Sequence, residues 1–293
     1  MGTEDIREKA FLTHGDIVSL NFVRVSGDHY FRRHHRAGLR SHVMEVLRRE
    51  DVEREERGAM MDGLLSFPRA KPKKVLRIFR TRFKNLAEAM EEPRRIKIIE
   101  NFLSPRHLAR SDEFIVDYVR GGNREILLCG LQEFVEGEIL DPWQTLDDAH
   151  LLSLYRRLEA GGWKKDPDSR IQRIRDRAAH FILKTKALIR NSGYVPDLAG
   201  VGNLILSRDL EIKLVDINNI SRIPPPGTIP LDDRGYPVCD KSIEALALLE
   251  KKLLGNLSVE DDPIYRTFLD ATRKKEVSSI VRTFHSTPGS TGL

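Results

Sequence analysis

The sequence has little cysteine, no long apolar run and no glycine-rich phosphate loop, and each shortage narrows what the chain can be. Cys129 and Cys239 are the two cysteines among 293 residues, each in an apolar neighbourhood. A disulfide framework is therefore excluded, and two buried free thiols in a cytoplasmic protein are expected. No stretch approaches the roughly 20 apolar residues of a membrane-spanning helix. The opening Met1-Gly2-Thr3-Glu4-Asp5 is polar and acidic, unlike a secretory signal, and Ile6 stands where a myristoylation pattern wants Ser or Thr. Cys and His nowhere fall at a metal-ligand spacing. Charge of one sign is also scarce, since 49 basic and 44 acidic residues leave a net +5. The densest basic run, Arg32-Arg33-His34-His35-Arg36, follows Tyr30 and Phe31. A solvated face is the ordinary reading of such a run. Binding of nucleic acid or an anionic surface through it, or through Lys71, Lys73 and Lys74, ranks last because acids are interleaved throughout.

What is present suggests an α+β chain. Residues 16–25 alternate well enough for a strand, and Ser26-Gly27-Asp28 reads as a turn. Residues 38–64 have helical apolar spacing through Leu39, Val43, Val46 and Leu47, with a sign-alternating charged face. Lys74 to Arg80 returns to strand character, with Val75, Arg77 and Phe79 on one face. Asn85 caps an amphipathic helix over 85–103, with Glu88 three positions on and Pro93 inside it. Strands over 113–120 and 125–134 flank Gly121-Gly122-Asn123, a hairpin signal. Beyond Glu136-Gly137 the pattern turns helical, over 145–160, 169–192 and 240–254. Asn191-Ser192-Gly193 and Gly255 act as helix stops. The expected organisation is an N-terminal extension with the first strands (1–72), a small lobe (73–136), a large helical lobe (137–286) and a disordered tail (287–293).

The chemistry gathers between the last two helices. Asp197 sits on a turn bearing Gly200 and Gly202, Asn203 opens a short apolar strand, and Asp216 follows the next strand. A hairpin of those strands brings Asn203 and Asp216 together at one open end. A carboxylate beside an amide oxygen suits a hard cation such as magnesium.

This order of residues resembles the protein-kinase-like superfamily over about 73–256. Asn203 and Asp216, 13 residues apart, look like the metal-holding Asn of the catalytic loop and the Asp that begins the D-F-G motif. Asp197, after Val195-Pro196, resembles the catalytic Asp of H-R-D. Leu131 to Gly137 resembles the segment joining the lobes, whose backbone, here at Glu133 and Val135, meets the adenine edge. Arg77 falls where the third strand carries a phosphate-contacting Lys, with Glu100 as its best-placed carboxylate partner and Glu91 or Glu92 as alternatives. Asp240 to Gly255 resembles the buried central helix of the large lobe, whose opening Asp hydrogen-bonds the catalytic-loop backbone.

The resemblance implies a bilobal fold, with a small antiparallel sheet plus helix and a truncated, mainly helical large lobe. It implies ATP between the lobes, Mg2+ held by Asp216 and Asn203, and a hydroxyl acceptor oriented by Asp197. The acceptor, whether small molecule, sugar or protein, stays open. The departures are equally legible. No G-x-G-x-x-G occurs, Arg77 replaces Lys, Ile217-Asn218 follows Asp216, and the Asp197–Asn203 gap is one residue longer than the family pattern. Asp240 follows Asp216 by only 24 residues, a short activation segment with no peptide-docking motif. Two readings therefore stand side by side, an atypical phosphotransferase and a catalytically weak pseudokinase acting as a nucleotide-binding or scaffolding module.

Overall fold

A capping box sets the first element. In the computed structural model, which describes residues 4–24, 27–35, 40–159 and 167–286, the Thr13 hydroxyl accepts from the Asp16 N–H at 3.2 Å. The Asp16 carboxylate accepts from the Thr13 N–H at 2.8 Å. This reciprocal pair starts helix α1 (His14–Val18), so the strand expected over 16–25 does not form. Asn21 instead reaches a strand edge, donating to the Asp117 carbonyl at 2.7 Å and accepting from the Val119 N–H at 3.0 Å.

The helix expected over 38–64 is also corrected. Strand β1 (His29–Arg33) pairs antiparallel with β2 (Ser41–Arg48), with Tyr30 opposite Leu47 and Phe31 opposite Val46. Only Arg49–Arg57 is helical, as α2, and a small hairpin of β3 (Ala59–Met61) and β4 (Leu64–Ser66) follows. The apolar spacing of Val43, Val46 and Leu47 serves either period. Pairing on both sides of β2 decides for the strand. The β3–β4 hairpin carries Met60 and Leu64 at 68% and 74% exposure, so its apolar side chains add nothing to the core.

Strand β5 (Lys74–Phe79) lies between β2 and a later strand, and residues 75–79 are all buried. Both of its faces are therefore covered, where one alternating face was expected. Helix α3 (Leu86–Leu103) begins as the sequence indicates: Asn85 accepts from the Glu88 N–H at 2.9 Å, and Glu88 accepts from the Lys84 N–H at 2.7 Å. Strands β6 (Ser111–Arg120) and β7 (Asn123–Glu133) form the expected hairpin. Its two-residue turn puts Gly121 at φ 55° and Gly122 at φ 86°, conformations that side chains resist. The antiparallel sheet runs β1-β2-β5-β7-β6, over a core that includes Ile17, Phe31, Met44, Leu76, Ile78, Leu127 and Cys129.

Cα proximity divides the chain into two compact units, Met1–Arg94 with Arg110–Phe134, and Arg95–Ala109 with Val135–Leu293. Of the strands before residue 72, β1 and β2 thus belong to the five-stranded sheet of the first unit, while β3 and β4 pair with each other. The second unit contains the end of α3, whose Ile96, Ile99 and Leu103 are buried in its core. It continues with β8 (Gly137–Ile139), α4 (Asp148–Leu158), α5 (Pro167–Ser192), β9 (Tyr194–Val195), β10 (Leu204–Ser207), β11 (Ile212–Leu214) and β12 (Ser221–Arg222). Helix α6 (Val238–Leu254) stops at left-handed Gly255, and α7 (Pro263–Arg266) and α8 (Ala271–Ser286) follow. Truncating a fully buried side chain such as Phe181 or Leu246 to alanine removes about 3–5 or 2–5 kcal/mol respectively, because the lost contacts leave a cavity.

Eight α-helices among the described residues and the five-stranded antiparallel sheet make the fold α+β. No helix among those residues is long and apolar enough to cross a membrane. Cys129 and Cys239 are both free and buried, and burial pushes both thiols up to about 12, so they pack as small apolar groups. Arg36, the stretch 160–166 between the two expected helices and the tail at 287–293 lie outside the described residues.

Candidate functional site

The loop between β9 and β10 is built around Asp197. One carboxylate oxygen accepts from the Ala199 N–H at 3.0 Å and the Gly200 N–H at 3.3 Å, closing a local turn. The other accepts from the Asn219 side-chain amide at 3.0 Å. Asn203 donates its amide to the Asp197 carbonyl at 3.0 Å, and its backbone N–H bonds the Gly200 carbonyl at 3.1 Å. Within that turn Gly202 takes φ 90°. Gly200 is required sterically, since a Cβ there would lie 2.6 Å from the Asn203 amide nitrogen.

Two contacts from elsewhere in the unit hold the loop. The Ser242 hydroxyl, on α6, accepts from the Leu198 N–H at 3.1 Å, and the Trp143 indole donates to the Ala199 carbonyl at 2.9 Å. Trp143 is itself covered by Lys241, whose ammonium lies 4.2 Å from the ring centroid.

The β10–β11 hairpin supplies the second acid. Leu204 pairs with Leu214, and the Asn203 carbonyl accepts from the Val215 N–H at 2.8 Å, so Asp216 lies one residue past the partner of Asn203. The two acids feel one another: burial, and then the charge of Asp216, push the Asp197 carboxyl up to about 6. The bonds from Asn219 and the loop amides oppose that shift. Tyr236 belongs to the same neighbourhood, its hydroxyl pushed up to about 12 by burial and then by the charges of Asp197, Glu244 and Asp232. Asn218 completes the group. It is 9% exposed, and neither polar atom of its side chain has a hydrogen-bond partner. A buried amide left so costs about 1–3 kcal/mol unless a ligand or water satisfies it.

Asp197, Asn203 and Asp216 are therefore brought together in the second unit, at the open end of a hairpin. The other sequence candidates are distributed differently. Arg77 is buried on β5 in the first unit, opposite Val43 and Gly130. Glu133 ends β7 and donates its N–H to the Arg110 carbonyl at 2.8 Å, so any backbone bond from it to a ligand runs through its carbonyl. Val135 opens the second unit, partly buried. Glu100 lies on α3, paired with Lys97 at 2.6 Å, and Glu91 pairs with Arg94.

The expected tie from Asp240 to the loop backbone is replaced by another arrangement. Asp240 is gripped by Arg273 of α8, with Nε at 2.5 Å and Nη2 at 3.0 Å, and Arg273 also donates to the Thr228 carbonyl at 2.8 Å. Ser242, two residues on, holds the loop instead, because its shorter side chain faces Leu198 from the same helix.

Sequence reasoning missed Asn218, Asn219, Ser242, Trp143 and Tyr236. The Asn218-Asn219 doublet, one residue beyond Asp216, was a legible signal. Trp143, 56 residues before Ala199, carried none. Compared with protein-family models and with curated protein sequences, the chain matches none.

Proposed function

We propose that the chain is an atypical ATP-dependent phosphotransferase of protein-kinase-like architecture, with Asp197 as the group that orients a hydroxyl acceptor and takes its proton. One observation carries the reading: an acid raised to about 6 stands beside a second acid and an amide on one loop-and-hairpin frame. A base near neutrality combines the right protonation state with useful driving force. Further support comes from the first unit. Arg77 lies on the third strand, in chain order, of an antiparallel sheet, and a long helix bearing Glu91, Glu92 and Glu100 comes next.

The donor set suits magnesium. Asn203 commits its amide nitrogen to the Asp197 carbonyl, which turns its oxygen toward the other side, and Asp216 adds a carboxylate. Asn203 and Asp216 would hold the ion, which neutralises charge on the phosphoryl group when bound. On the nucleotide side the reading assigns Arg77 to the phosphates and the backbone of Glu133 and Val135 to the adenine edge. The planar Arg77 guanidinium offers a fork of donors where a Lys offers a point charge.

A second reading, a pseudokinase, is favoured by one specific feature: both oxygens of Asp197 are already satisfied, by Ala199, Gly200 and Asn219. Thermal melts with magnesium and millimolar ATP, followed by single-turnover assays of ATP consumption, separate the two. Phosphotransfer predicts a melting shift that Asp216→Ala abolishes, and turnover that Asp197→Asn lowers at least a hundredfold. A shift without turnover selects the pseudokinase. An unshifted curve with several divalent ions refutes the phosphotransferase and any nucleotide-binding role, leaving a scaffolding module.

A further inference from the structure

We propose that His34, His35 and Glu45 form a binding site for a divalent transition ion of zinc-like preference, carried by the β1–β2 pair of the first unit. One ligand atom from each of the three lies within 4.8 Å of the other two. A tetrahedral zinc with bonds of about 2.0–2.1 Å needs ligand atoms roughly 3.4 Å apart. Rotation of the exposed His35 side chain closes the remaining distance.

The geometry follows from strand pairing. Arg32 is opposite Glu45, and the His34 N–H continues the ladder to the Val43 carbonyl at 2.9 Å, so Arg32, His34 and Glu45 share one face. The ring centroids of His34 and His35 are 4.2 Å apart. Nδ1 of His34 and one oxygen of Glu45 are already 3.0 Å apart.

The Arg32 guanidinium fixes the carboxylate. Arg32 donates to the other oxygen of Glu45 at 2.9 Å, and its Nη1 is taken by Glu55 at 2.8 Å. Glu45 is buried, and its remaining oxygen lies 3.0 Å from Nδ1 of His34. Clamping one carboxylate oxygen while the other faces the ion is how outer partners orient metal ligands.

Two imidazoles and one carboxylate select zinc, nickel or copper over magnesium, which prefers oxygen ligands. This donor set is chemically distinct from the oxygen-rich pair Asp216 and Asn203, and the proposal does not depend on the phosphotransferase reading. Three protein ligands leave one coordination position for water or an exogenous ligand.

The test uses the full chain, stripped with chelator and titrated with Zn2+ alone against a chromogenic competitor, with Co2+ absorption reporting coordination. One zinc per chain is expected, with affinity at least tenfold lower in His35→Ala and in Glu45→Gln and unchanged in His29→Ala. Circular dichroism melts check folding. Because Glu45 also anchors Arg32, the exposed His35→Ala is the deciding variant. No zinc binding at micromolar metal, or binding that His35→Ala leaves unchanged, overturns the proposal.

Discussion

Asn in place of Asp197 should stabilise the protein at pH 7.5 and change little at pH 4.5. In the folded chain burial and Asp216 raise the Asp197 carboxyl from 3.8 to about 6. A raised acid favours the neutral form in the fold. Its contribution is fully present below the unfolded value of 3.8 and is lost as pH rises through about 6. That rise from 3.8 to about 6 corresponds to about 3 kcal/mol as an upper figure. The Asn variant removes that ionisation but brings two amide nitrogens face to face at Asn219. Rotation of the Asn219 amide turns its oxygen to the new donor, so a cost of about 1 kcal/mol is reasonable. The net gain at pH 7.5 is then ~2 kcal/mol, or about 4–8 °C in Tm for a chain of this size.

The assay is a series of thermal melts from pH 4.5 to 8 on the natural protein, Asp197→Asn and Asp216→Asn. The Tm difference between the first two should open with pH between about 4 and 6. In Asp216→Asn the pH dependence of stability should shrink, because the neighbouring charge is gone. A Tm difference that stays flat across the series refutes the coupling of the two acids. So does an Asp197→Asn variant less stable at every pH.

Two further changes probe the frame of the site. Gly200→Ala drives a methyl into the Asn203 amide; it should cost about 1–3 kcal/mol in denaturant melts and abolish any magnesium-dependent ATP shift, and an unaffected shift would show that Asn203 is not a ligand. Arg273→Ala leaves Asp240 buried without its cation and should cost about 3–5 kcal/mol, of which Asp240→Asn in the same chain recovers a substantial part; additive losses in the double variant would refute the pairing.

Much of this arrangement was legible locally. The Asn85 cap, the Gly121-Gly122 turn, the Gly193 and Gly255 helix stops and the β10–β11 hairpin each depend on residues a few positions apart, and each formed where the pattern indicated. Reading failed where distant partners outweighed local preference. Residues 41–48 became a strand because β1 and β5 pair along both edges, a choice their apolar spacing leaves open. Residues 14–18 turned helical because Thr13 and Asp16 bond one another, which outweighs a weak alternation. The sequence also showed no metal-ligand spacing. His34 and His35 are adjacent and Glu45 comes from the neighbouring strand, so their meeting depends on register alone.

By itself the sequence determined the α+β class, the free thiols and the hairpin that places Asp216 one residue past the partner of Asn203, since the last two rest on apolar burial and a short turn. Only the tertiary structure decided the state of Asp197. Its raised pKa comes from burial and from Asp216, while Asn219 and the loop amides satisfy both its oxygens. Ser242 and Trp143, 44 and 56 residues from the backbone atoms they bind, hold the loop in that form. Desolvation and Coulomb interaction depend on distance through space, and no spacing along the chain encodes it.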